Sequence, residues 1–154
     1  MTVARAVPAE LPALVSLYDE AAQWLQERGV VQWQVGAHTA QSLAAVETFV
    51  ATEKESVVGG FCFVPPDPDI WPDAQQADAF YLSGLVVARS HAGIGLVLLA
   101  HAEQLAAAPR LRLDCWAGNE VLKAFYSRAG FSACGCVAEQ TWMVQRFEKV
   151  RVGC

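Results

Sequence analysis

Apolar positions recur along the chain in two rhythms, and the change between them lays out its elements. Leu11, Leu14 with Val15, Tyr18, Ala21 with Ala22, and Leu25 return at helical spacing and stop at Gly29, predicting an amphipathic helix whose first turn holds Pro8 and Glu10. Val3 to Val7 predicts an opening strand, and a weaker helix is predicted from Thr39 to about Val46. Two apolar runs, 48–52 and 57–64, flank Glu53-Lys54-Glu55-Ser56 in the manner of a hairpin. The segment 65–78, with Pro65, Pro66, Pro68 and Pro72, predicts a long irregular loop. Beyond it the rhythm alternates: strand 79–87, helix 93–107, strand 111–115, helix 119–129, then closing strands near 131–138 and 141–148. That order implies an α/β fold.

The join between strand 79–87 and the next helix carries the most chemistry. An apolar run ending Leu85-Val86-Val87 passes through Arg89-Ser90-His91-Ala92 to Gly93-Ile94-Gly95 and then into an apolar helical pattern. Glycines without Cβ let backbone N–H groups approach an anion, and the helix behind them aims its positive end at the same spot. The expected ligand is a phosphate. A dinucleotide fingerprint would need a third glycine where Leu98 stands, and no Gly-Lys-Ser/Thr follows, which disfavours both Rossmann and P-loop readings.

A second motif follows: Asn119-Glu-Val-Leu122-Lys-Ala-Phe125-Tyr126-Ser-Arg-Ala-Gly130-Phe131. An R/Q-x-x-G-x-G/A loop paired with an N-x-x-L-x-x-F-Y-x-x-x-G-F helix about 25 residues later resembles the GNAT family of acyl-CoA-dependent N-acetyltransferases. The resemblance covers most of the chain. Leu11 to Leu25 matches the family's first helix, and Trp24-Leu25, Gly29 and Gln32-Trp33 look like one subgroup's helix-end signature. It implies a GNAT-type fold, a mixed, mostly antiparallel central sheet flanked by helices, as a single domain over 1–154, with acetyl-CoA lodged where two neighbouring strands splay. One departure is plain: Ser90 occupies the usual Arg/Gln position, with Arg89 one residue early.

By that resemblance, acetyl-CoA is the cosubstrate. Leu85, Val86 and Val87 offer backbone N–H groups to its carbonyl, and Arg89, Ser90, His91, Ala92, Gly93, Ile94 and Gly95 hold its phosphates. Asn119 and Phe125 complete the cofactor set, Asn119 also being a natural helix N-cap. Tyr126 is the expected general acid. A phenol of ordinary pKa about 10 is protonated at neutral pH, yet acidic enough to serve a thiolate of pKa about 8.5. Its other reading is an apolar packing ring. The amine's proton needs a base: Asp78, Tyr81 and Ser83 border the strand that would face the acceptor, Asp114 sits on the next strand, and none has a partner that singles it out.

Trp24, Gln32, Trp33 and Trp71, with Tyr81 and Ser83, are the expected acceptor wall, since an indole offers an amine an apolar face and a cation–π contact. The alternative for Trp24 and Trp33 is to staple the end of the first helix. The rival function is a non-catalytic acyl-CoA sensor or interaction module on the same fold.

Composition narrows the rest. At 154 residues, 54% of them hydrophobic, the chain can build one sizeable core. Its net charge is −5, but residues 89–128 hold five bases against three acids, whereas Glu55, Asp67, Asp69, Asp73 and Asp78 stand in a base-free stretch. A basic cofactor half suits coenzyme A, and overall acidity speaks against nucleic acid. The acidic stretch reads as a solvated loop or as attraction for a cationic amine. The expected acceptor is a small-molecule or peptide amine, and a homodimer is compatible with all of this. Without a secretory h-region or an apolar run of membrane length, a cytoplasmic protein away from membranes is expected. Five cysteines with no Cys-x-x-Cys argue against a disulfide framework or a metal site. Cys62 and Cys115 read as buried thiols, and alternation would put Cys134 and Cys136 on one strand face.

Overall fold

The computed structural model describes residues 1–30, 33–140 and 142–151. In chain order these are β1 (Thr2–Arg5), α1 (Leu11–Gln26), α2 (Ala40–Ala44), β2 (Glu47–Glu53), β3 (Ser56–Phe63), β4 (Ala79–Val87), α3 (Gly95–Leu105), β5 (Arg110–Trp116), α4 (Glu120–Arg128), β6 (Ser132–Glu139) and β7 (Trp142–Val150). The strands form one seven-stranded sheet of order β1-β2-β3-β4-β5-β7-β6. Pairs β1–β2, β2–β3, β5–β7 and β6–β7 are antiparallel, and β4–β5 is parallel. Elements fall where the periodicity puts them, with shifted ends. The opening strand stops at Arg5 because Pro8–Glu10 already forms a 3-10 turn, and the helix expected from Gly93 begins at Gly95. No helix among the described residues is long and apolar enough to cross a membrane.

The chain divides into two compact units, Met1–Phe63 with Ser83–Ala102, and Val64–Leu82 with Glu103–Cys154. In the first, the apolar face of α1 buries Leu11, Leu14, Tyr18 and Ala22. Full burial of such a side chain contributes roughly 1.5–3 kcal/mol. Helices come close to β3 because Gly59 and Gly60 lack side chains. A Cβ at Gly60 would lie 2.8 Å from a Leu14 methyl, and one at Gly59 would lie 2.9 Å from a Leu98 methyl of α3. The β2–β3 hairpin turns through Lys54 and Glu55, both left-handed at φ 51° and 67°.

In the second unit, β5 alternates Leu111, Leu113 and Cys115 into the core against Arg112, Asp114 and Trp116 on the other face. Here three expectations are corrected. Trp71, expected at an acceptor wall, is buried with Ile70 in a cluster with Tyr81 and Val144. The prolines do keep 65–78 irregular, but the loop folds its two large apolar side chains inward. The loop's acids are not simply solvated either, because Asp73 grips Arg112 with both carboxylate oxygens at 2.9 Å. Cys134 and Cys136 do not share a face: a register shift between Ala133 and Cys136 breaks the alternation. Cys134 packs on the Trp71 cluster while the Cys136 thiol donates to the Gln145 side chain at 3.3 Å. Cys62 and Cys115 are buried free thiols.

Candidate active site

In the first unit the site begins at a fault in β4. Gly84 takes φ +66° in mid-strand, a backbone that side-chain-bearing residues rarely adopt. Tyr18, fully buried on α1, donates its hydroxyl to the Gly84 carbonyl at 2.6 Å. A Cβ on Gly84 would lie 2.8 Å from that hydroxyl, so the contact needs glycine twice over. Burial, with help from Cys62, pushes the Tyr18 phenol well above its usual range and keeps the donor proton in place. Beyond the fault run Leu85, Val86 and Val87, and the strand is tied off by the Ala88 N–H donating to Val58 at 2.8 Å. Ser83, just before it, is exposed.

Trp33 meets the Tyr18 ring edge-on at 5.5 Å, and His38 stacks flat on it at 3.8 Å. Trp33 therefore packs against α1 with part of its surface open. Burial lowers the His38 pKa against the opposing pull of Asp19. Trp24, at the end of α1, lies 3.8 Å beneath the guanidinium of Arg28 and 3.8 Å from that of Arg89. Two cations at that distance have to take opposite faces of the indole.

The loop after β4 is a 3-10 turn, Arg89–His91, then Ala92, Gly93 and Ile94. Gly93 has φ +106°, and no atom stands within 4 Å of where its Cβ would be. The Leu98 N–H donates to Ile94, so the N–H groups of Gly95, Leu96 and Val97 lie ahead of the helix's first bond as first-turn donors. An open left-handed glycine ahead of such amides fits a phosphate. Ser90 Oγ lies 2.9 Å from His91 Nδ1, and His91 Nε2 lies 3.7 Å from Glu53. Arg89 makes no ion pair among the described residues; its guanidinium rests on Trp24.

In the second unit Asn119 is the buried N-cap of α4, its Oδ1 accepting from the Leu122 N–H at 3.1 Å. Tyr126 is also buried, ringed by Phe125, Phe131 and Phe147 at centroid distances of 5.4, 6.0 and 5.6 Å. Burial first, then the nearby Cys115 and Asp114, raises its phenol far above the ordinary value. Tyr81, expected toward the acceptor, is buried and committed elsewhere, its hydroxyl accepting from Arg112 at 3.1 Å.

The acetyltransferase (GNAT) family model matches residues 18–131. The chain belongs to this family. A Bacillus subtilis (strain 168) protein described as "Uncharacterized N-acetyltransferase YesJ" is 30% identical in an alignment 148 residues long that covers 86% of this chain and 82% of that protein. A GNAT-family acetyltransferase from Listeria monocytogenes superposes with a TM-score of 0.78 at 27% identity, covering 97% of this chain and 94% of the other. Two further structures share the fold. A GNAT-family acetyltransferase from Streptococcus agalactiae superposes with a TM-score of 0.81 at 15% identity (97% and 95% covered), and yncA of Salmonella typhimurium, solved with its cofactor acetyl-CoA, with 0.73 at 16% (100% and 95%). Membership makes this GNAT chain an acetyl-CoA-dependent N-acetyltransferase.

Gln32 lies outside the described residues. The Tyr18–Gly84 contact escaped the sequence reading, where Tyr18 was one more apolar position on a helix. The available signal was a glycine inside an otherwise unbroken strand pattern, which marks a bulge.

Proposed function

We propose that this chain moves an acetyl group from acetyl-CoA to the primary amine of a small molecule or peptide by direct transfer, with Tyr126 as general acid. The carrying observation is Gly93, left-handed and open at the head of α3. By family resemblance, the N–H groups from Gly93 to Val97 hold the phosphates, Asn119 and Phe125 hold the pantetheine arm, and the N–H groups of Leu85, Val86 and Val87 polarise the carbonyl. Tyr18 steadies that last set by anchoring the Gly84 carbonyl beside it. The family match runs through both units, which supports one working domain. Free buried thiols suit a reducing, cytoplasmic setting.

When bound, acetyl-CoA supplies an activated thioester whose C–S bond breaks as the amine nitrogen takes the acetyl carbon. Tyr126 holds its proton at Oη throughout the neutral range, because burial disfavours the phenolate. The same burial makes it a reluctant donor. Donation therefore has to be driven by the negative charge that builds on the leaving sulfur.

Release of free thiol from acetyl-CoA with an amine panel measures the activity directly. Tyr126→Phe keeps the ring and its three aromatic neighbours, so coenzyme A affinity and melting temperature should hold. Turnover should fall by about 10²–10⁴-fold, the usual effect of losing a general acid. Intact turnover in that variant would make Tyr126 a packing residue.

A further inference from the structure

The loop after β4 holds a chain of polar contacts that no motif calls for. Ser90, exposed, stands where the family usually carries Arg or Gln, and its Oγ lies 2.9 Å from Nδ1 of His91. The other ring nitrogen, Nε2, faces Glu53 Oε2 at 3.7 Å, within ion-pair range but beyond a hydrogen bond. Glu53 is the last residue of β2, far from the loop in sequence. All three side chains lie in the first unit with Gly93. The other charges nearest along these elements are Lys54 and Glu55 at the hairpin tip and Arg89 in the turn, whose guanidinium rests on Trp24. A carboxylate beside a loop that takes phosphates repels its ligand unless something answers its charge. His91 stands between Glu53 and Ser90.

We infer that Ser90, His91 and Glu53 form a proton-coupled phosphate donor: coenzyme A binds with uptake of one proton on His91, and the Ser90 hydroxyl then donates to a phosphate oxygen. The inference rests on the reading above in which this loop holds the phosphates, and it adds a residue from outside the loop. A neutral imidazole carries one N–H and one bare nitrogen. The charge of Glu53 favours the N–H at Nε2, which leaves Nδ1 bare to accept the only hydrogen of the Ser90 hydroxyl. Oxygen lone pairs alone then remain for a phosphate, and the two repel. When a solvent proton adds at Nδ1 the bond reverses: Nδ1–H donates to Ser90 Oγ, and the hydroxyl hydrogen is free. The proton returns to solvent when coenzyme A leaves.

Both neighbours favour the charged ring once a phosphate has arrived. Glu53 compensates the imidazolium on one side and the phosphate does so through Ser90 on the other, whereas without the ligand Glu53 acts alone. Imidazole is the side chain that exchanges a proton between pH 5 and 8, which suits it to such a relay. A serine at the usual Arg/Gln position is then no bare loss of a cation. The positive charge is supplied one residue on, by a ring that the ligand itself helps to charge.

Calorimetric titration with coenzyme A, across pH and in buffers of different ionisation enthalpy, tests this directly, since ionisation of coenzyme A itself is common to every variant. Wild-type affinity should fall as pH rises, with proton uptake on binding. Ser90→Ala should bind about tenfold more weakly at about pH 5, the low end for a hydrogen bond to a charged group, and match wild type at about pH 8, where the wild-type hydroxyl is spent on His91. His91→Ala should take up less proton than wild type. Glu53→Gln decides the sign. A carboxylate that merely repels phosphates would, on removal, tighten binding. In the relay its loss weakens binding about two- to fivefold near neutrality, the scale of a partly exposed ion pair, because the imidazolium loses its counter-charge. Unchanged or tighter binding in Glu53→Gln, undiminished proton uptake in His91→Ala, or a Ser90→Ala deficit equal in acid and in alkali overturns the relay while leaving coenzyme A binding intact. A wild-type protein that binds no coenzyme A overturns the phosphate placement itself, and the relay with it.

Discussion

Each unit of the molecule lays an arginine over a tryptophan, and the two pairs do opposite things. Arg112 lies 4.4 Å from the Trp71 ring centroid with Asp73, Glu148 and the Tyr81 hydroxyl around it. Arg89 lies 3.8 Å from the Trp24 ring with another cation, Arg28, on the same indole and no carboxylate paired to it among the described residues. The buried guanidinium has every anion it needs, whereas the exposed one has only a π face. A cation–π contact at an exposed site contributes about 0.5–1 kcal/mol, less than a charge-assisted hydrogen bond to a phosphate at roughly 1.5–3. Arg112 is therefore part of the architecture. Arg89 rests on Trp24 in the loop that leads to Gly93, one residue from the position where the family usually carries its Arg or Gln, and under the proposed function it exchanges Trp24 for a phosphate at net gain.

The largest effect expected from breaking this contrast is on Arg112. Arg112→Leu removes the centre of a buried network and should destabilise the protein by about 3 kcal/mol, the low end for stranding a buried partner, because Asp73 is 57% exposed and can rehydrate. Thermal or urea unfolding measures it. A loss below about 0.5 kcal/mol would put Arg112 in the same class as Arg89. For Arg89→Ala the expectation is reversed: an unaltered melting temperature and coenzyme A affinity weakened by roughly 1.5–3 kcal/mol, about ten- to a hundredfold, by calorimetry. Wild-type affinity there would leave Arg89 a partner of Trp24 alone.

The smallest effect concerns pH. Arg112 lowers the Asp73 carboxyl pKa through their hydrogen bonds. A depressed carboxyl contributes stability above its unfolded value of 3.8, and that contribution is lost as pH falls through the folded one. Asp73→Asn should thus be less stable than wild type near neutrality and converge with it in strong acid. A difference that persists undiminished at pH 2 would mean that shape, not charge, ties the loop to Arg112.

The same contrast explains what was legible in the sequence. β4, α3, β5 and α4 announce themselves through local rules, since glycines, a capping Asn119 and apolar periodicity act within a few residues of each other. The Gly93 loop is legible for that reason, as is the motif that contains Tyr126. Arg112 meets Asp73 and Tyr81 across 39 and 31 positions of chain. No periodicity encodes such a meeting, so Trp71 and Tyr81 read as exposed aromatics awaiting a substrate. Cys134 and Cys136 misled for a related reason: strict alternation holds only until the ladder slips, and one slip turns the following side chains over.

The hairpin tip at Lys54 and Glu55 carries a separate consequence for how the protein can change. Two successive left-handed residues are what a two-residue hairpin loop requires, and Asn-Gly meets that need with far less steric conflict. A residue with a Cβ in that region costs roughly 1–2 kcal/mol. The fold carries this cost at two residues of one turn, far in sequence from Gly93 and Tyr126, so relieving it there would add stability. A lineage or an engineer needing tolerance for disruptive changes elsewhere in the chain would find that reserve at the hairpin.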